Sequence, residues 1–552
     1  MREPLARVLV IAWLVGCGGS PGNGDDAPGD GGPTGDGGTD SGIVEPPPVC
    51  TPPVTLVDTS SPTTVVGTGT AESCTEAALA AAVSAGGIVT FDCGAAPATI
   101  MLTASLVPPL DRDTVIDGGG TVTLDGGDAV RLIELVRQNY RTSNITLTLQ
   151  RLRLQHGRAP GTGYVEPSTS NPKCAYGYRE GGGGAVLVRD NKLVVIDSEF
   201  AHNAAATPGP DIGGGAIYAL GSLGITIVGS SFHDNSGSNA GAVGLLQSNG
   251  TFVNSSFTAN VANGMGQNFA GGDAQGCPGV GHANQGGAGG NGGAIAIDGS
   301  DDTDQVFCGV VIADNMANEL GGALFRTANV SSRKTHIERS VIRDNQAKSA
   351  GAMYLRNSKP LEIYASTFTG NRANGAGMAQ LDECTLDVVN TTIHGNRATN
   401  GIGGAISNFF GTTGTFTNVT FAENLADGGS GLFSAAIAGQ MNFTFRNTLF
   451  WNQRTMDAGS PMTCGFTPAT GGGNNLQWPM KKIVGTADDT PCVAGITFAD
   501  AMLGPLGDHG GPTPTLVPMA GSPALGAGTN CPATDQRGMP RASGSCTIGA
   551  VE

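Results

Sequence analysis

Two aspartates occupy matching positions in consecutive repeats of the chain, and their carboxylates are the first candidates for chemistry. Asp314 and Asp344 each lie directly before an asparagine that recurs through the sequence, and Asp234 and Glu423 share this position in other repeats. Stacking at the roughly 4.8 Å spacing of β-strands would place them in one column. Glycoside hydrolysis uses two carboxylates roughly 5 to 9 Å apart, and acidic calcium ligands with a basic residue serve other reactions. Because turn carboxylates usually cap backbone amides or face solvent, we favour a structural role for Asp314 and Asp344 over a catalytic one.

Histidines and cysteines offer no further chemistry at the level of the sequence. The histidines do not fall in one position of the repeat, so we predict surface histidines, no metal site and no cofactor. The Cys-x₂-Cys spacing that is typical of zinc sites does not occur. The histidines are His156, His202, His233, His282, His336, His394 and His509.

An internal repeat must position all of these side chains. A step of two small residues followed by an apolar one recurs nine times, at intervals of 31, 26, 52, 29, 29, 26, 27 and 27 residues. The interval of 52 holds an insertion rich in Gly, Ala, Asn and Gln, from about residue 264 to 291. The second residues of the steps are Gly184, Gly215, Gly241, Gly293, Gly322, Gly351, Gly377, Gly404 and Gly431.

Each step is followed by a large apolar residue, with an asparagine three positions further on. The segments between these marks alternate in polarity over four to six residues, which is the period of a β-strand. In the ninth copy glutamine replaces the asparagine. The pairs are Phe200/Asn203, Phe232/Asn235, Phe257/Asn260, Ile312/Asn315, Ile342/Asn345, Phe368/Asn371, Ile393/Asn396, Phe421/Asn424 and Phe450/Gln453.

The repeat predicts an all-β fold, a right-handed parallel β-helix with about three strands per coil. Short strands cannot bury a face alone, so each coil must stack on the next one. The apolar column would fill the interior, and the asparagines would form a ladder at a turn. A helical solenoid does not fit the strand period, and a propeller needs repeats of about 40 residues. A short capping helix is predicted within residues 74–87, which end in two glycines.

The start of the chain predicts export. Arg2 and Arg7 precede an apolar stretch of about eight residues, which is far shorter than the ~20 that span a membrane. Cys17 follows in a context that resembles the bacterial lipobox, which implies that Cys17 is acylated; an ordinary secretory signal with a chance cysteine is the alternative. We therefore predict a signal peptide at 1–17, a disordered Gly/Asp/Pro-rich tether at 18–70, a β-helix with its cap at 71–460, and C-terminal coils with a cap at 461–552. Gly18 resembles the sorting residue of outer-membrane lipoproteins.

Eleven cysteines remain after Cys17, and an exported chain meets an oxidising compartment. Proximity in sequence predicts the disulfides Cys74–Cys93, Cys464–Cys492 and Cys531–Cys546. Cys174 and Cys277 lie on long loops and could meet across three coils. Cys50, Cys308 and Cys384 remain unassigned.

Two families resemble parts of the chain. The Gly-Gly-Ala step with Phe-x-x-Asn, over residues 181 to about 455, resembles the repeats of the chlamydial polymorphic outer-membrane proteins, which are adhesion-associated surface β-helices. The membrane barrel that ends those proteins has no counterpart after residue 455. The last 45 residues resemble the choice-of-anchor Q domain of bacterial surface proteins, with Gly526 where the family usually has Asp. There, Asp535, Arg537 and Arg541 are interpreted as a buried ion pair in the cap rather than a catalytic cluster.

The leading functional prediction is a lipid-anchored surface scaffold for adhesion, binding extracellular glycans or other surface proteins without catalysis. A net charge of −17 without a basic stripe excludes nucleic acid as a partner. Many parallel β-helices are polysaccharide lyases or glycoside hydrolases, so an enzyme on the same fold is the alternative. The Asn-Thr-Asp, Asp-Asp, Gly-His-Gly and Arg-Ile-Lys set of polygalacturonases and the signatures of pectate lyases are not found. A structural envelope protein is the third possibility. We expect an exported protein at the outer membrane or cell surface, or outside the cell.

Overall fold

The computed structural model describes the chain from residue 49 to its end, apart from short gaps. The described ranges are 49–137, 140–160, 181–206, 213–264, 289–299, 304–328, 333–427, 434–456, 460–465 and 467–552. The predicted signal peptide with Cys17, most of the predicted tether, Cys174, Cys277 and His282 lie outside them.

The chain winds as a right-handed parallel β-helix of about 12 turns, which confirms the predicted fold. Among the described residues, strands of successive turns pair in parallel and form three sheets. Sheet 1 has 24 strands: Thr64–Val66, Gly87–Phe91, Ala98–Met101, Thr114–Asp125, Thr146–Gln155, Lys192–Ile196, Glu199–Ala201, Ile225–Val228, Ser231–His233, Gly250–Val253, Ser256–Thr258, Gln305–Cys308, Val311–Ala313, Arg333–Glu338, Val341–Arg343, Ser358–Tyr364, Thr367–Thr369, Thr385–His394, Thr413–Ala422, Phe443–Arg446, Leu449–Trp451, Thr470–Gly471, Leu476–Trp478 and Thr497–Phe498.

The other two sheets have fewer strands. Sheet 2 has ten strands: Ile133–Val136, Val186–Arg189, Ile217–Leu220, Val243–Leu246, Ile295–Asp298, Leu324–Thr327, Met353–Arg356, Ala379–Asp382, Ile406–Phe410 and Ile437–Gly439. Sheet 3 has eight: Ser236–Gly237, Val261–Ala262, Met316–Ala317, Gln346–Ala347, Arg372–Ala373, Arg397–Ala398, Leu425–Ala426 and Arg454–Thr455. A typical coil thus has four strand segments rather than the predicted three, because sheet 1 bends within each turn.

Two columns of turn residues with positive φ shape sheet 1. The bend within sheet 1, which we call the arm corner, has left-handed residues at Arg151, Asp197, Gly229, Asn254, Gly309, Arg339, Ala365, Asn390, Asn418 and Asn447. The turn from sheet 1 to sheet 3, which we call the ladder corner, has them at His156, His202, Asp234, Ala259, Asp314, Asp344, Gly370, Gly395, Glu423 and Asn452. Most of these residues are Asn, Asp, His or Gly, which adopt positive φ more readily than other types.

The predicted apolar column fills the interior. Phe200, Phe232 and Phe257 are directly opposite one another in successive turns, with ring centroids 4.6 and 4.9 Å apart. The column continues through Ile312 and on to Phe450, and all of its members are buried. Offset ring stacking adds to the burial of apolar area. The prediction of this column is confirmed.

The asparagine ladder is also confirmed. The side-chain amide of Asn315 donates to Oδ1 of Asn345 at 2.9 Å, and the backbone N–H of Asn315 donates to the same oxygen at 3.0 Å. This pattern repeats from Asn203 to Asn424, where Oε1 of Gln453 becomes the acceptor. Every ladder side chain is buried, so each bond satisfies groups that water cannot reach.

The close contact between successive coils requires a glycine at the second position of each step. A Cβ on Gly351 would lie 2.1 Å from the carbonyl oxygen of Gly377 in the next coil, and equivalent glycines from Gly184 to Gly404 face the same clash at 2.0 to 2.5 Å. The ninth step was predicted at residues 430–431, which lie outside the described residues. The structure pairs Gly403 with Ser434, so the ninth position is taken by Ser434 and Ala435, and the strands that follow pair in register with the preceding coil.

A helix caps the first coil. It runs over Glu76–Ala85, with Thr75 accepting a hydrogen bond from the N–H of Ala78 and Gly86 at its end. The predicted capping helix is thus confirmed. Leu79 and Val83 are fully buried against the first coils. Within the described part of the chain, no helix has the length and apolar character needed to cross a bilayer.

The last part of the predicted tether is ordered rather than free. Residues 49–66, the N-terminal arm, lie along the arm corner and end in the strand Thr64–Val66, which pairs with Gly87–Phe91. A disulfide joins Cys50 to Cys308, and the Asn254 side chain bonds the backbone of residues 49 and 50. The predicted tether therefore extends too far along the chain, because hydrogen bonds, a disulfide and apolar contacts hold the arm on the coils.

The chain also returns along the arm corner from the other end. Residues 505–552, the C-terminal arm, run back over the coils that precede them. Asn418 donates to the carbonyl oxygens of Thr547 and Gly549, and Asn390 donates to that of Thr534. Backbone pairing within the C-terminal arm consists of isolated antiparallel bridges, whereas the strands of the coils pair in parallel. Both arms therefore cover the same corner, from opposite ends.

Candidate functional site

Asp314 and Asp344 lie at the ladder corner, where their left-handed backbone is the feature they share with the rest of the column. Arg343 lies between them, with Nη1 2.8 Å from Asp344 Oδ2 and 3.4 Å from Asp314 Oδ2. The two carboxylate side chains are 53% and 47% exposed. Two exposed carboxylates that share one arginine are typical of a solvated turn. They do not form the enclosed acid and base that hydrolysis needs.

A cavity of about 490 Å³ lies where the two arms approach each other on the arm corner. Glu338, Arg339, Tyr364 and Asn390 contribute its wall from the coils. The C-terminal arm adds Gly511, Pro512 and residues 534–538, and the N-terminal arm adds Val49. The coils thus form the floor of the cavity, the C-terminal arm forms one rim, and Val49 of the N-terminal arm forms the other. The cavity combines charged, amide and phenol groups within one concave surface.

A polar row continues from this cavity across sheet 1. His336 lies between two carboxylates, with Nδ1 2.8 Å from Glu362 Oε2 and Nε2 3.2 Å from Glu338 Oε2. Lys334 contacts Glu362 as well. Burial raises the pKa of Glu362, but the bonds from Lys334 and His336 lower it more, so the net pKa is below its usual range. Glu362 is therefore held as an anion.

Tyr364 completes the row. Its hydroxyl donates to Asp387 Oδ2 at 2.7 Å, and its ring meets that of His336 edge to face. Burial raises the pKa of Tyr364, and the bond to Asp387 raises it further. The phenol therefore stays protonated and acts as a hydrogen-bonding and stacking group.

This arrangement suits binding better than hydrolysis. The space between Glu338 and Glu362 is filled by the imidazole of His336, whereas a hydrolytic carboxylate pair must leave room there for the substrate. Anionic carboxylates, a neutral phenol, a guanidinium and an amide are the groups that fix polar ligands in pockets.

The charged residues of the C-terminal arm have structural partners. Asp535 accepts hydrogen bonds from the backbone of Arg537, Met539 and Glu552, and it pairs with the Arg537 guanidinium at 2.8 Å. Arg541 is buried and donates to the carbonyl oxygens of residues 547, 549 and 550. These contacts fold the arm onto itself and onto the coils, in line with a structural role.

Four disulfides are present among the described residues. They join Cys50 to Cys308, Cys74 to Cys93, Cys464 to Cys492 and Cys531 to Cys546. Such a set indicates an oxidising compartment outside the cytosol. Cys384 is a free buried thiol, and burial raises its pKa to about 12, which makes it unreactive.

The histidines were predicted not to share one position of the repeat, yet three of them lie side by side in the structure. The ring of His202 stacks on that of His156 at 5.5 Å and meets that of His233 edge to face at 5.8 Å. The signal was present in the sequence: His202 directly precedes ladder residue Asn203, and His156 has the same place one coil earlier. Aligning the irregular early coils with the later repeats would have shown it.

Comparisons with known proteins add only a likeness of fold. No family model matches the chain, and no curated protein matches it. Among solved structures, the A-module of the mannuronan C-5 epimerase AlgE6 from Azotobacter vinelandii is similar, with 14% identity and a TM-score of 0.32. The match covers 67% of this chain and 94% of that module. At this identity and score, the likeness carries nothing about function.

Proposed function

We propose that the chain is an exported β-helix that binds extracellular glycans or other surface proteins without catalysis. The cavity between the two arms is the binding site in this proposal. The signal segment before Cys17 is removed, Cys17 carries the lipid as the first residue of the mature chain, and the residues before the N-terminal arm link the lipid to the β-helix. The chlamydial-type repeats and the choice-of-anchor Q-like C-terminal region agree with a surface protein.

The cavity is the observation that carries this proposal. Tyr364 and Arg339 offer a ring and a guanidinium on its floor, and Arg537 reaches it from the C-terminal arm. Sugar rings bind proteins through stacking on aromatic groups and through hydrogen bonds to planar charged groups, and a pocket of a few hundred Å³ accommodates one or two such rings. Because both rims come from arms fixed to the coils, the cavity is pre-formed, which lowers the entropic cost of binding.

A polysaccharide lyase or hydrolase remains the alternative function, and two observations weigh against it. Asp314 and Asp344 share Arg343 in open solvent. Glu338 and Glu362 have an imidazole between them. In each pair a basic side chain contacts both carboxylates, whereas the hydrolytic mechanisms place the substrate between the two carboxyl groups.

A glycan microarray probed with the purified chain tests the proposal. We expect binding to a subset of glycans that falls at least about tenfold in Arg339→Asn and in Tyr364→Phe, since each change removes one hydrogen-bonding group. Asparagine is chosen at position 339 because it tolerates the positive φ there. Arg343→Ala, at the ladder corner, is the matched control and should bind like the parent.

Turnover assays separate the alternatives. Depolymerisation of a uronate or neutral polysaccharide by the purified chain would replace the binding proposal with an enzyme. Absence of binding to both glycans and cell-surface proteins would leave the structural envelope protein. Protease accessibility on intact cells, with and without Cys17→Ser, tests surface display: the variant should be lost from the cell surface.

A further inference from the structure

A second cluster of polar side chains lies at the ladder corner, far along the chain from the residues of the cavity. His202, His233 and Asp234 come from two neighbouring coils, and each offers a ligand atom within 4.8 Å of the other two. His202 and Asp234 occupy the same turn position in successive coils, and His233 ends the strand Ser231–His233. Stacked repeats thus bring two imidazoles and a carboxylate to one point.

The far side of His233 is held by a second carboxylate. Its Nε2 lies 2.9 Å from Glu199 Oε1, while its Nδ1 lies 2.8 Å from Asp234 Oδ2. Glu199 is itself paired with Arg153 at 3.3 Å. A carboxylate that accepts the remote N–H of an imidazole fixes the ring and its tautomer, which is the usual outer-shell support of a metal-bound histidine.

His202 is supported differently. Its ring is stacked on His156, whose Nδ1 lies 3.0 Å from Asp125 Oδ2. Within the described part of the chain, the ring nitrogens of His202 form no hydrogen bond, although its ring contacts those of His156 and His233. A ring held by stacking, with free nitrogens beside an imidazole and a carboxylate, has the freedom to bind a cation.

We propose that His202, His233 and Asp234 bind a divalent transition-metal ion, with zinc as the expected metal. Two imidazoles and one carboxylate suit zinc among common divalent ions, whereas calcium and magnesium prefer oxygen ligands alone. His233 Nδ1 and Asp234 Oδ2, which are hydrogen-bonded at 2.8 Å without metal, move apart to admit the ion between them in this proposal. Three protein ligands leave at least one coordination position for water or for a ligand of a partner molecule.

Protons must compete with the metal at this position. The charged or titratable groups that face His233 are Glu199, Asp234 and His202, with Arg153 behind Glu199. Thr258 and the residue after it are opposite His233 and Asp234 in the next coil, and neither carries charge. Because a metal binds only the deprotonated imidazole nitrogen, acid should weaken Zn²⁺ binding.

Titration calorimetry of the metal-free full chain with Zn²⁺ tests the proposal, and the absorption spectrum of bound Co²⁺ reports the coordination. The repeat itself provides substitutions that preserve the fold: His233→Thr places the residue found at the equivalent position 258, and His202→Asn tolerates positive φ. Each should weaken Zn²⁺ binding by about 100-fold or more, and Glu199→Gln by the 10- to 100-fold typical of outer-shell changes.

His394→Thr is the matched control. His394 occupies the same strand position as His233, several coils away, and contacts Glu423 at 3.2 Å without a second imidazole. We expect Zn²⁺ affinity to be unchanged in this variant. The proposal is overturned if the parent chain shows no saturable Zn²⁺ binding, if His202→Asn and His233→Thr bind as tightly as the parent, or if His394→Thr weakens binding equally. Thermal unfolding of all variants checks that the coils are intact.

Discussion

The central coils and the two terminal arms are held together by different physical means. In the coils, from about residue 213 to 456, each contact is one copy of a contact made again in the next turn, such as the bond from Asn315 to Asn345. In the arms, each contact is made once: the disulfide from Cys50 to Cys308, or the bonds of Asn418 to the C-terminal arm.

The difference explains where function is expected. A repeated contact makes a uniform surface, because neighbouring coils present similar side chains at similar places. A unique contact breaks that uniformity, and the cavity with Arg339 and Tyr364 lies where the unique contacts of the two arms end. In the proposed function, the coils therefore act as the scaffold, and the arms complete the binding cavity.

The largest effect should come from a change inside the repeat. In Gly351→Ala the new Cβ would lie 2.1 Å from Gly377 O and 2.7 Å from Arg372 N, so two coils must move apart. We expect a loss of more than about 4 kcal/mol in unfolding free energy, or failure to fold, which falls in the exceptional range for single substitutions. The thermal unfolding midpoint by circular dichroism and the soluble yield measure it.

The same substitution at Gly395 is the control. Gly395 has positive φ, which Gly351 does not, and nothing lies within 4 Å of a Cβ placed there. Gly395→Ala should cost only the ~1 to 2 kcal/mol of a left-handed alanine. Equal losses at both positions would contradict the assignment of the Gly351→Ala effect to the close contact between coils.

Removal of the disulfide between Cys50 and Cys308 should release the N-terminal arm and spare the coils. The Cys50→Ser/Cys308→Ser variant should lose the ~2 to 4 kcal/mol typical of a disulfide, because the unfolded chain is no longer cross-linked. Hydrogen bonds and the packing of Val49 and Val54 then hold the arm. Hydrogen exchange measured by mass spectrometry should increase in residues 49–66 and remain unchanged in strands such as Met353–Arg356. Exchange that increases throughout the coils would contradict the separation between the two regions.

The contrast between the two regions also explains what the sequence can predict. Phe232 and Asn235 could be assigned to the core and the ladder because eight other copies share their spacing. The pairing of Cys50 with Cys308 spans 258 residues and has no second copy, so no pattern indicated it. The cavity beside Tyr364 depends on how two unique segments pack, which repeat periodicity does not encode. The contact of His202 with His233 was predictable, since both residues lie at fixed distances from ladder asparagines.

A smaller effect is expected where the N-terminal arm contacts Asp117. This buried carboxylate accepts hydrogen bonds from Thr59 at 2.7 Å, Gln150 at 3.0 Å and Arg151 Nε at 2.9 Å. Asp117→Asn places an amide donor beside Arg151 and should cost about 1 to 3 kcal/mol, as for hydrogen bonds to charged groups. Thermal unfolding at pH 6 measures the loss, and Asp58→Asn, an exposed change in the same arm, should have little effect.

The effect of Asp117 should depend on pH in a defined direction. Burial raises its pKa, but the bonds from Arg151, Thr59, Gly119 and Gln150 lower it more, so the pKa in the folded chain is below the ordinary value. Its stabilisation is therefore present above about pH 4 and is lost as the pH falls through the folded-state pKa. The difference in unfolding midpoint between parent and Asp117→Asn should shrink below about pH 4, and a difference that grows there would contradict this assignment.

The smallest effect is expected at the two aspartates that first suggested catalysis. Asn tolerates positive φ as Asp does, and the carboxylates of Asp314 and Asp344 are half exposed beside Arg343. Asp314→Asn and Asp344→Asn should therefore change the unfolding free energy by less than about 0.5 kcal/mol, and glycan binding not at all. If the chain degraded a polysaccharide and either substitution abolished that activity, function would lie on the repeated surface of the coils. The chemistry would then depend on a catalytic carboxylate at an exposed turn.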